Sequence, residues 1–106
     1  MITAEFFIRE DEIIGFKVYG HADYADIGED VVCAGVSSAV MLTANTITEN
    51  FSIAADITAI ENEISLTLHD GGKDKNAKLL LEALRTHLGI IAQEYEGTIS
   101  ILNLEV

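Results

Sequence analysis

Two short runs open the chain, residues 2–9 (ITAEFFIR) and 13–19 (IIGFKVY), both partly alternating and rich in branched and aromatic side chains. Such runs favour strands, and Asp11-Glu12 between them favours a turn, so a hairpin ending at Gly20 is expected. Residues 20–29, GHADYADIGE, have no period and carry two glycines with the acids Asp23, Asp26 and Glu29. They predict an exposed loop.

From Asp30 the pattern changes. DVVCAGVSSAVMLTANTITENF places Val32, Val36, Ala39, Val40, Ala44 and Ile47 around most of a helix circumference. A helix apolar nearly all round is expected to be buried. Asp30 is a preferred N-cap residue, its carboxylate accepting from first-turn amides. Residues 53–60 and 63–69 read as two strands joined at Glu61-Asn62. In the second, Ile64, Leu66 and Leu68 face one way and Ser65 and Thr67 the other. Asp70-Gly71-Gly72 breaks the chain. Residues 74–95 then carry Leu80, Leu84, Leu88, Ile91 and Tyr95 at steps of three and four, predicting a second helix ended near Gly97. Residues 98–104 close with a strand. The order ββαββαβ predicts a single α+β domain over residues 1–106, a two-layer sandwich with a mostly antiparallel five-stranded sheet and two helices.

Charge narrows the partners. Among 106 residues, 18 acids face 6 Lys and Arg, a formal −12. That field opposes direct nucleic-acid or anionic-membrane binding and favours a basic partner. An apolar content of 49% beside such acidity suggests apolar surface hidden in an oligomer, with a twofold homodimer as the default. One cysteine forms no internal disulfide, and MITAEFFIREDE lacks the features of a signal peptide. The longest nearly apolar stretch, Val31 to Leu42, falls short of the roughly 20 residues a spanning helix needs. A cytoplasmic, reducing location is therefore expected.

Candidate chemistry lies between Gly20 and Ser37. With Asp30 as cap, Cys33 would be the third helical residue, where unpaired amides and the helix dipole favour an anion. Helix starts promote the thiolate, the reactive form of cysteine. His21 stands where the second strand enters the loop leading back to that helix, and imidazole is the usual base for a thiol nucleophile. The plainer readings are a cysteine buried as a small hydrophobe and a surface histidine, and residue types alone favour them. Elsewhere the motifs are weak. Asp23, Asp26 and Glu29 lack calcium-loop spacing, His69-Asp70 and His87 form no zinc pattern with Cys33, and DGGKDKN has no phosphate-loop spacing. No metal or other cofactor is expected.

Gly20-His21-Ala22, a short acidic loop, Gly28, and then Asp30-Val31-Val32-Cys33-Ala34, Val36 and Ser37 resemble the signature of the ribosomal-processing cysteine protease family, Prp. Size and element order extend the resemblance over the whole chain, while Gly35 departs from the alanine expected there. The resemblance implies a homodimeric enzyme that trims the N-terminal extension of a large-subunit ribosomal protein. It makes Cys33 the nucleophile and His21 the general base. Asp30 and Ser37 match other motif residues. Asp30 either orients His21 or caps the helix, with the cap favoured, and Ser37 either lines the substrate site or bonds to its own backbone. A basic precursor would suit an acidic enzyme. The runner-up is a non-catalytic dimeric adaptor or ribosome-assembly factor with Cys33 as a core residue.

Overall fold

The computed structural model describes residues 1–20 and 27–106. Five strands form one sheet: β1 (Ile2–Arg9), β2 (Glu12–Tyr19), β3 (Ala55–Ile60), β4 (Glu63–Leu68) and β5 (Ile99–Glu105). Two helices complete the fold among the described residues, α1 (Ile27–Asn45), which runs on into a π-helical turn at Thr46–Asn50, and α2 (Lys75–Glu94). Sheet order is β3-β4-β2-β1-β5. Three neighbouring pairs are antiparallel and β1–β5 is parallel, so the expected ββαββαβ sandwich is the observed one.

Alternation decides which sheet face the helices cover. Ile2, Ala4, Phe6 and Ile8 of β1 are buried, as are Phe16 and Val18 of β2 and Leu66 and Leu68 of β4. They meet Val32, Val36, Val40 and Ala44 of α1 and Ala77, Leu81, Leu84 and Leu88 of α2 in one core. Two pairs join intervening positions: Tyr19 Oη donates to Glu5 Oε2 at 3.2 Å, and the Lys17 ammonium lies 3.6 Å from Glu63. Gly15 sits opposite Thr67, and a Cβ there would come within 2.3 Å of the Leu66 carbonyl oxygen. Gly15→Ala is therefore expected to cost about 1–3 kcal/mol by overpacking against backbone that cannot yield. Urea denaturation checks this.

The helices depart from expectation in three ways. First, α1 begins at Ile27, three residues before Asp30, so the boundary inferred from an aspartate cap is corrected. An acid is favourable anywhere in a first turn, so an aspartate near a helix start does not by itself mark the cap. Second, α1 is not buried all round: Val31, Met41 and Leu42 are exposed, the last at 69%. One sheet covers one side of a helix, and nothing else among the described residues covers the other. Third, the helical run Val31–Asn50 is 20 residues long and so is long and apolar enough to cross a membrane by length and composition, which the shorter span read from sequence understated. Its inner stripe is committed to the core, with Ile47 fully buried beyond Ala44. The run is rich in threonine, and Thr43, Thr46 and Thr48 each donate back to the carbonyl four residues earlier, at 2.8, 2.7 and 3.0 Å.

Capping defines α2 sharply. Asp74 accepts from the amides of Asn76 and Ala77 at 2.9 and 3.1 Å. The buried stripe is Ala77, Leu81, Leu84 and Leu88, turned slightly from the predicted one, so Leu80 and Ile91 flank it and Tyr95 is exposed. Lys78 ties this helix to the opening hairpin, donating to Glu12 Oε1 at 3.0 Å. That hydrogen bond, with the charge of Glu12, raises the Lys78 pKa above its usual 10.5. A raised lysine contributes stability below its unfolded pKa and loses it as pH rises through the folded one. Lys78→Gln should thus be less stable than the parent at neutral pH, and the difference should vanish in strongly alkaline solution. Denaturation of both proteins across that range tests it.

Candidate active site

A cleft of about 210 Å³ opens where the N-terminal half of α1 crosses one end of the sheet. Cys33, Val36 and Ser37 line it from the helix, Ile2 and Val18 from β1 and β2, and Gly20 from just past β2. Ile60, Asn62, Glu63 and Ile64 line it from the β3–β4 hairpin. Helical spacing explains the first group. Val32 and Val36 point into the core, which leaves Cys33 half-buried at its margin, and Ser37 follows one turn later on the same side.

Cys33 is the seventh residue of α1 rather than the third. Unpaired amides belong to the first turn, and the dipole effect fades beyond it, so the helix-start argument for the thiolate is weaker than the sequence position implied. Asp30, fourth in the helix, is excluded as its N-cap by position alone. Cys33 is half-buried and lines the cleft. The thiol is neither sealed in the core nor fully solvated.

His21 lies outside the described residues, but its point of departure does not. Gly20 lines the cleft and donates its amide to the Asn62 carbonyl at 3.0 Å. Its φ of +86° suits glycine, and a Cβ would approach the Met1 carbonyl oxygen to 2.7 Å. The chain therefore leaves β2 at a fixed point on the cleft wall, and the next residue is His21. Gly20→Ala should redirect that exit, costing about 1–3 kcal/mol through left-handed strain and contact. Cleavage activity should fall with it, and a variant with unchanged activity would show that the exit geometry is unimportant.

The other histidines are elsewhere. His69, just past β4, pairs with Asp56 of β3 at 2.8 Å, and His87 lies on α2 in the groove between the helices. Neither lines the Cys33 cleft. The contributions of Ile60, Asn62, Glu63 and Ile64 had no signal in the linear pattern, which placed them only in two strands and a turn.

Comparison with known proteins settles the class of chemistry. A family model described as cysteine protease Prp matches residues 1–100. The chain belongs to this family. It is similar to the ribosomal processing cysteine protease Prp of Staphylococcus aureus, 29% identical over 104 residues, which cover 95% of this chain and 97% of the relative. The Bacillus subtilis protein of the same name is 28% identical over 95 residues, 84% of each chain. Among solved structures, S. aureus Prp in complex with a substrate peptide superposes with a TM-score of 0.88 at 25% identity, covering 98% of this chain and all of the other. The same enzyme with a covalently linked product peptide gives 0.86 at 27%, with the same coverage. This Prp-family chain is thus a cysteine protease, and Cys33 is its one cysteine.

Proposed function

We propose that this protease removes the N-terminal extension of a large-subunit ribosomal protein, using Cys33 as nucleophile and His21 as general base. The observation that carries the assignment is the shared cleft, with Cys33 on one wall and, on another, Gly20, from which the chain continues directly into His21. The relatives named for ribosomal processing match over nearly the whole chain, which supports the substrate class.

Chemically, the Cys33 thiolate adds to the scissile carbonyl and its proton resides on His21. Collapse of the tetrahedral intermediate breaks the C–N bond, and His21 returns the proton to the departing amine. Water, deprotonated by the same imidazole, then cleaves the thioester and releases the carboxylate product. A thiol, an imidazole and water suffice. Asp30, one turn before Cys33 along α1, is assigned to orienting His21. Ser37, exposed in the cleft, is assigned to the substrate wall.

The enzyme works in the cytoplasm as a homodimer in this reading. Its free thiol suits a reducing compartment, and lipid around α1 would compete with the sheet for Val32, Val36 and Val40. Exposed Val31, Met41 and Leu42 on α1 and Leu79 on α2 support a second copy packed on the helical face. Light scattering should return about twice 11.5 kDa, and Leu42→Glu should halve that mass. For the activity, purified precursor incubated with the enzyme should yield one product shortened at its N-terminus by mass spectrometry. An intact precursor would sink the substrate assignment.

A further inference from the structure

The sheet has one edge that leads into the active-site cleft. β3 pairs only with β4, and no element among the described residues lies on its other side. Folded proteins usually blunt such edges with lysine, proline or a bulge, because unpaired amides and carbonyls recruit another strand. Residues 55–60, ADITAI, contain neither lysine nor proline, and the β3–β4 register runs without a shift. The strand's one charge is the exposed carboxylate of Asp56, 2.8 Å from His69 Nε2, while Ile57 and Ile60 are left exposed, the latter at 61%. Ile60, the last residue of the strand, also lines the Cys33 cleft.

Hydrogen-bond alternation shows which groups face outward. His69 donates its amide to the Ala54 carbonyl at 3.1 Å, and Ala55 stands opposite Leu68. Bonded and non-bonded pairs alternate along an antiparallel ladder. Asp56, Thr58 and Ile60 therefore address β4, and the amides and carbonyls of Ala55, Ile57 and Ala59 point to the open side.

Resting on the protease reading above, we infer that the substrate peptide docks in extended form as a sixth strand along β3, its backbone paired with Ile57 and Ala59, and continues past Ile60 to Cys33. Strand addition gives affinity through main-chain bonds while alternate side chains reach pockets. An extended segment also leaves its scissile carbonyl open to attack, which a helix does not. A second copy of the chain paired on this edge would instead lie across Ile60, at the mouth through which the substrate must enter.

The test uses the Cys33→Ala protein, which holds substrate without turnover, and a fluorescent peptide carrying the precursor's N-terminal extension. Ala59→Pro removes one outward N–H and no bond of the β3–β4 ladder, the position at which an edge strand accepts proline. Added to Cys33→Ala, it should weaken peptide binding about fivefold to tenfold by anisotropy, the value of one net backbone hydrogen bond. Independently of any β3 variant, amide exchange at Ile57 and Ala59 should slow about tenfold or more on peptide binding, while Asp56 and Thr58 stay as they were. Unchanged affinity with unchanged exchange at Ile57 and Ala59 would overturn the docking mode while leaving protease action intact. Protection of those amides in a peptide-free dimer would assign the edge to a second copy, and absence of any peptide binding would overturn the inference together with the substrate assignment.

Discussion

Replacing Cys33 by alanine is expected to reduce cleavage of the ribosomal protein precursor by about 10⁴-fold or more, the scale of removing the group that bonds to the substrate. The fold should hardly notice. Cys33 is half-buried at the rim of the core, so losing its sulfur leaves no enclosed cavity and costs on the order of 1 kcal/mol. Activity by mass spectrometry and stability by urea denaturation separate the two effects. His21→Ala should fall by a comparable factor, since a thiol without its base also leaves the departing amine without a proton. Ser37→Ala is the informative contrast. It alters the same cleft one turn further along α1, and should change KM several-fold while kcat stays near the parent value. If Cys33→Ala cleaved as well as the parent, neither the proposed nucleophile nor the cleft built around it would survive.

Phe16→Ala is expected to be the most destabilising single truncation, at about 3–5 kcal/mol. Phe16 is fully buried at the middle of the sheet, paired with Phe6 on β1 and Leu66 on β4. The Phe6 and Phe16 rings lie 6.5 Å apart at 50°, within the favourable range for tilted aromatic pairs. Both helices pack on the same core, so a cavity at this point cannot be closed by a shift of one element. Against a total stability of roughly 5–15 kcal/mol, such a loss would leave an appreciable unfolded fraction. The urea midpoint should fall with an unchanged slope, and Phe16→Leu should recover most of the loss. A cost below about 1 kcal/mol would contradict the packing described here.

Local patterns were readable from the chain because local physics writes them. The alternation of Ile64, Leu66 and Leu68 follows from the two-residue repeat of a strand, and the helix at 75–94 from apolar residues at steps of three and four. The proposed pairing of Cys33 with His21 was legible only as a motif, a set of residue types at set separations. Nothing in periodicity distinguishes a reactive thiol from a packed one.

Other features depended on contacts between distant residues. The start of α1 at Ile27 was hidden because Asp30 looked like a boundary, whereas acids are favourable throughout a first turn. The exposure of Leu42 was hidden because composition reports how apolar a helix is, not how many sides of it are covered. Sheet order decided the site. By setting β4 beside β2 and β1 between β2 and β5, it brought Ile60, Asn62 and Glu63 to the thiol and left β3 open. Strand-forming tendency belongs to a few neighbouring residues, so the chain itself determined its elements and its reactive groups. Which strands lie side by side is chosen by the shared core, and only that choice turned a cysteine on a helix into one wall of a cleft.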